Sequence, residues 1–139
     1  LYIDKGTLQG IQSGLPVVGS EGVIIGKIIR ANKETSLIEL LVGDSSRLAV
    51  TTMTATGTTG ILGGHLGTSM RMEFVQSGLV PAVDGLIITS GLEPLIPRGL
   101  LIGTVRKVTN DQNQLFLSAD VEPAFDYRNA HVVSVMRSL

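Results

Sequence analysis

The residues that would most readily carry chemistry are a serine, a histidine and a carboxylate, and histidines are scarce: the chain has only His65 and His131. A hydrolytic triad needs a serine beside a histidine that a carboxylate orients. Gly43-Asp44-Ser45-Ser46 supplies the nucleophile type, but no glycine follows, it precedes both histidines, and no Gly-x-Ser-x-Gly occurs. A polar β-turn is the expected role of that tetrapeptide. Aspartic-protease chemistry needs two Asp-Thr/Ser-Gly loops whose carboxylates share a proton. Thr89-Ser90-Gly91 has Ile88 in the aspartate's place, and Asp84-Gly85 lacks the intervening residue. Glu39, Glu73 and Asp120 fall in strand patterns, where a charge facing solvent is ordinary. Their spacing leaves paired carboxylates for glycoside hydrolysis open.

Metal and phosphate chemistry have weaker support. His65 lies in Gly63-Gly64-His65-Leu66-Gly67 with no second local ligand, and Asp126 stands five residues before His131, which is not a usual metal spacing. The glycines of 57–67 lack a following Gly-Lys-Ser/Thr and do not open a helix, so no helix dipole would meet a phosphate. Hairpin turns are expected there. No cofactor is expected.

Composition narrows the classes further. The 139 residues carry a net charge of −1, which disfavours a nucleic-acid binder. Tyr2, Phe74, Phe116, Phe125 and Tyr127 are scattered and form no stacking platform. There is no cysteine, so disulfides, thiolate catalysis and Cys-ligated zinc are excluded. Hydrophobic residues make up 43% and charged residues 17%, enough apolar content to bury a core. The longest stretch without a formal charge, 48–70, is rich in Thr and Gly and is no transmembrane helix. The chain opens at Leu1 without Met, as expected of a fragment of a longer protein.

The elements that must position these residues are strands. Short apolar, β-branched runs recur between turn residues, predicting strands over 15–18, 23–31, 37–42, 47–54, 60–62, 70–75, 86–89, 101–109, 115–121 and 131–136. No sustained helical period occurs; single helical turns are expected at most at 7–11 and 125–129. Many short strands predict a barrel or sandwich. An internal repeat is visible: 24–31 and 101–108 share an apolar-apolar-Gly-polar-apolar-x-basic-apolar pattern. The pairs Gly6/Gly14 and Gly91/Gly99 are each eight residues apart, and a leucine follows the second glycine in both. Gly26 and Gly103, in mid-strand, are expected at a bulge or barrel corner. Two related small barrels follow, divided near Ser77-Gly78 into 1–78 and 79–139, with strands able to interchange across that line.

The order of motifs resembles the extracytoplasmic β-domain of the MreC family of bacterial rod shape-determining proteins. Ile3-Asp4-Lys5-Gly6 with Gly14-Leu15-Pro16-Val17 is similar to the family's opening. Glu21-Gly22-Val23-Ile24-Ile25-Gly26-Lys27 resembles its first Gly-centred strand. Gly60-Ile61-Leu62-Gly63-Gly64 resembles the central hairpin, followed by Met70-Arg71-Met72-Glu73-Phe74-Val75. The strongest likeness is Thr89-Ser90-Gly91-Leu92 with Ile96-Pro97-Arg98-Gly99-Leu100-Leu101-Ile102-Gly103-Thr104-Val105. Val121-Glu122-Pro123-Ala124-Phe125-Asp126-Tyr127 with Val132-Val133 fits the end. Asp84-Gly85 departs from the family pattern, in which Gly precedes Asp.

The resemblance implies an all-β fold of two small antiparallel β-barrels, one of them chymotrypsin-like without a catalytic triad. It implies a non-catalytic periplasmic scaffold of the cell-elongation machinery. A cytoplasmic tail, membrane helix and coiled coil would precede this part of the chain. Implied partners are further copies of itself as dimer or filament, a class B penicillin-binding transpeptidase, MreD and MreB. Gly26, Gly91, Pro97, Gly99 and Gly103 are expected to serve the backbone, and Arg98 and Tyr127 are candidate partner contacts. Two other classes stand beside this one. A two-barrel hydrolase or cell-wall-active enzyme would need a histidine beside a serine and a carboxylate in a cleft. A glycan-binding barrel would need an aromatic-lined pocket.

Overall fold

The computed structural model describes residues 1–19, 22–53, 57–65, 67–74, 81–110, 117–126 and 133–137. The β-strands are β1 (Tyr2–Ile3), β2 (Pro16–Val18), β3 (Ile24–Ala31), β4 (Ser36–Leu40), β5 (Arg47–Thr52), β6 (Thr59–His65), β7 (Ser69–Phe74), β8 (Leu86–Thr89), β9 (Leu101–Asn110), β10 (Leu117–Pro123) and β11 (Ser134–Val135). A single 3₁₀ turn spans Thr7–Gln9, inside the helical turn expected there. The other expected turn, at 125–129, lies mostly outside the described residues.

The all-β architecture agrees with the sequence pattern, with one refinement. β5 to β10 form a closed barrel in the order β10-β7-β6-β5-β8-β9, whereas β1-β4-β3-β2-β11 is an open five-stranded sheet. The two units are thus one barrel and one half-barrel. The expected division at Ser77-Gly78 lies outside the described residues. Strand pairing changes sheet between β4 and β5, so β5, β6 and β7 join the later strands, and β11 returns to the first sheet.

The internal repeat is a repeat of hydrogen-bonding register. In β2–β3, Val17 pairs with Gly26 and Val18 with Ile24, which leaves Ile25 as a bulge. In β8–β9, Ile87 pairs with Gly103 and Ile88 with Leu101, which leaves Ile102 as a bulge. A second bulge recurs one strand further: Ile28↔Ile38 and Arg30↔Leu37 match Val105↔Val121 and Lys107↔Asp120. Outside these, Tyr2↔Leu37 matches Arg71↔Asp120, and Val135↔Val17 matches Thr52↔Ile87. β1-β4-β3-β2-β11 therefore repeats as β7-β10-β9-β8-β5, and β6 is the additional strand.

The start of each hairpin corrects the glycine spacing. Gly14 N–H donates to Ile28 O at 2.7 Å, and Asp84 N–H donates to Val105 O at 2.8 Å. Ile28 N–H donates to Leu15 O and Val105 N–H to Gly85 O, both at 2.9 Å. Asp84, not Gly99, is thus the counterpart of Gly14. It has a φ of 68°, the one positive φ outside glycine among the described residues. Aspartate tolerates that conformation better than most side chains.

Two cores lie back to back. Ile11, Leu15, Val17, Ile25, Ile28 and Ile38 fill the half-barrel. Leu48, Val50, Leu62, Met70, Met72, Ile87, Ile102 and Val105 are among those filling the barrel. Alternation along β3 sends Ile24 to the barrel core and Ile25 to the other. An isolated parallel bridge between Val23 and Leu101 joins the sheets.

The strand β6 contains the strand expected at 60–62 and extends it through Gly63, Gly64 and His65, where hairpin turns were expected. Gly60, Gly63 and Gly64 lie within an extended strand. A side chain at Gly64 would run into the backbone of Leu41, Val42 and Gly43, and that close approach accounts for glycine in mid-strand.

Candidate interaction surface

The connector between β8 and β9 is held at its base and at its tip. At its base, Thr89 is fully buried. Its Oγ1 donates to Pro97 O at 2.6 Å and accepts from Leu100 N–H at 2.9 Å. Thr89 N–H donates to Leu100 O at 3.0 Å, and Gly99 N–H donates to Thr89 O at 3.1 Å. Gly99 makes this closure with a φ of 103°, a conformation that favours glycine, in a place where no neighbour crowds it. Gly91 also has positive φ, 83°, and its α-carbon faces the Cβ of Arg98.

The tip of the connector is tied to both sheets. Lys27 Nζ, from β3, donates to Glu93 Oε1 at 3.1 Å and to Arg47 O at 2.7 Å. Ala49 N–H, from β5, donates to Glu93 Oε2 at 3.4 Å. Ile96 is 4% exposed and anchors the loop in the barrel core. Pinned at these points, the loop holds Leu92 out at 72% exposure, with Leu95 at 38% and Pro94 and Arg98 also exposed. A rigid loop that displays apolar side chains loses little entropy on binding, which suits it to recognition of another protein.

A second concave feature, of about 650 Å³, lies on the barrel side and mixes charges of both signs. Arg106 there bonds to Asp84 at 3.0 Å and to Glu122. The hydrogen bond and charge of Glu122, with Asp84 behind, raise the Arg106 pKa above its ordinary value. Arg71 reaches Asp120 at 3.8 Å, and both are exposed. His65 and Arg47 line the same cleft.

Among the described residues the sequence candidates disperse. Ser46 N–H donates to Gly43 O at 3.0 Å, the β-turn expected of that tetrapeptide, and Ser46 is buried. His65 sits exposed at the end of β6. His131 and Tyr127 lie outside the described residues. Among the described residues no group of three or more His, Asp or Glu gathers as for a metal ion. Gly26 and Gly103 occupy equivalent places, where an added Cβ would meet the carbonyls of Glu39 and Glu122. Arg98 stands beside the connector tip. Sequence reasoning did not find the Lys27–Glu93 tie. Its partners are 66 residues apart, and nothing in local pattern links them.

Comparison with known proteins follows this architecture closely. The family model for the rod shape-determining protein MreC, barrel core, matches residues 1–137. The cell shape-determining protein MreC of Listeria monocytogenes is 27% identical over 139 residues, covering 97% of this chain and 47% of that protein. A solved Listeria MreC structure superimposes with a TM-score of 0.87 at 25% identity, over 96% of this chain and 65% of that one. A complex between penicillin-binding protein PBP2 and MreC from Helicobacter pylori matches in fold, with a TM-score of 0.74 at 16% identity, over 90% of this chain and 79% of that one. The chain spans a third to a half of the length of the curated relatives it matches.

Proposed function

The chain belongs to the family of the rod shape-determining protein MreC, and from that premise we propose that it is a non-catalytic scaffold of cell elongation. It acts at the periplasmic face of the inner membrane and governs cell shape and peptidoglycan synthesis by binding cell-wall synthases and further copies of itself. The observation that carries this reading is the connector 90–100. It is clamped by Thr89, Lys27 and Ile96, and it presents Leu92, Pro94 and Leu95 to solvent beside Arg98.

The partner with the best support is a class B penicillin-binding transpeptidase, because the Helicobacter pylori relative forms a complex with PBP2. MreD and MreB would be engaged through the longer protein, and a membrane anchor would lie in its preceding part. The non-catalytic role is supported by the placing of Ser46 in a buried turn and of His65 in the open at the end of a strand.

Sedimentation velocity tests this reading, with the chain run alone across a concentration series and then with the periplasmic domain of the elongation transpeptidase. Co-sedimentation that Leu92→Asp abolishes, without loss of thermal stability, supports it. A strict monomer that forms no complex overturns it for this part of the protein.

A further inference from the structure

Among the described residues both sheets follow one five-strand plan, yet only one is closed. In the barrel, β6 lies between β7 and β5 and pairs with both. The counterparts of β7 and β5 in the other sheet are β1 and β11. Among the described residues no strand lies between them. A cleft of about 740 Å³ occupies the place, lined by Tyr2, Ile3, Ile11, Val133, Val135 and Arg137 among others.

Side-chain burial marks the same gap. In the barrel Met72 and Val50 are 0% exposed and Thr52 is 5% exposed. Their counterparts Ile3, Val133 and Val135 are only half-buried. The backbone agrees, because residues along a strand bond alternately to one side and the other. Leu1 exchanges both backbone hydrogen bonds with Ile38 of β4, at 3.3 and 2.7 Å, so the polar groups of Tyr2 face the cleft. Met136 N–H donates to Pro16 O at 3.0 Å, so those of Val135 face it from the other side. Thr52, the counterpart of Val135, donates its N–H to Thr58 O at 3.1 Å, toward β6. Unpaired edges of this kind are templates for an added strand.

We propose that the seam between β1 and β11 is a strand-acceptor site for a short extended segment of a partner protein. β6 defines what the segment must be. Its residues 59–63 span the register from Thr51 to Arg71, turning Gly60 and Leu62 inward and Thr59 and Ile61 outward. The occupant is therefore a segment of about five residues that pairs through its main chain and places one apolar side chain against Ile3. Arg137 Nη1 donates to Gln9 O at 2.8 Å and straps one end of the cleft, which keeps the segment short. Asp4, Lys5 and Arg137 at the rim carry both signs, so the site selects backbone and shape rather than charge. This site goes beyond the scaffold role and rests on the internal repeat alone.

The test is an NMR titration of the isotope-labelled chain with a synthetic peptide of residues 58–65, the strand that closes the counterpart seam. Saturable shifts and slowed exchange at the amides of Tyr2 and Val135, with none at Ala119 in the barrel, are expected. A peptide with aspartate in place of its leucine should bind at least about tenfold more weakly. Val135→Pro removes a donor that faces the seam and none that faces β2, a change an edge strand accepts. It should abolish the shifts in a protein that still melts cooperatively. Absence of shifts at millimolar peptide with folded protein would overturn the proposal. So would protection of the Tyr2 and Val135 amides in the free chain: if independent of protein concentration, the chain closes its own seam, and if rising with it, a second copy does. Neither failure bears on co-sedimentation with the transpeptidase, so the two readings fail separately.

Discussion

Gly26 and Gly103 occupy the same position in two copies of one structural unit. Each follows a bulged isoleucine, and each lies against a glutamate carbonyl of the neighbouring strand, Glu39 or Glu122. The shared constraint is steric, because a methyl group at either site would have to push a paired strand aside.

Gly26→Ala and Gly103→Ala should therefore each cost about 1–3 kcal/mol. Chemical denaturation read by circular dichroism measures this. A loss near zero for either would mean that the strands part without cost and that the repeat is loosely built.

Thr89→Val should destabilise by about 1–3 kcal/mol, since it keeps the shape but leaves Leu100 N–H and Pro97 O without their buried partner. Hydrogen exchange should quicken at Gly99 and Leu100 before it does in β9. Uniform acceleration across the barrel would show instead that Thr89 supports the core and not the connector in particular.

Lys27 and Glu93 should be coupled. Lys27→Met and Glu93→Gln should each cost about 1–3 kcal/mol, and the double variant should cost less than their sum. A double-mutant cycle by urea unfolding gives the coupling directly, and strict additivity would remove the tie from the account of how the connector is held.

Arg106→Gln should cost little stability despite its two carboxylate partners, because all three groups are exposed. The difference should shrink toward zero as salt is raised to about 1 M, where screening acts within about 3 Å. A large effect that salt leaves intact would contradict this.

Much of the fold was legible locally. Strands β3, β5, β7, β8 and β9 fall where apolar runs between turn residues place them, because a half-buried strand needs that alternation. The likeness of 24–31 to 101–108 was visible for the same reason. Its continuation was not, since glycine spacing suggested Gly99 where register identifies Asp84 as the partner of Gly14. Local pattern also missed β1, which has two residues and takes its identity from pairing with β4. Gly64 of β6 resembled a turn glycine because its cause, the close passage of the chain at 41–43, lies some twenty residues away.

The sequence by itself determined the all-β class and the resemblance to the family, because each depends on short motifs and their order along the chain. Only tertiary structure decided which strands share a sheet, that among the described residues one unit closes while its counterpart is open, and that Lys27 meets Glu93. Those outcomes depend on pairing between distant segments, where a bulge or a register shift of one residue redirects every side chain that follows.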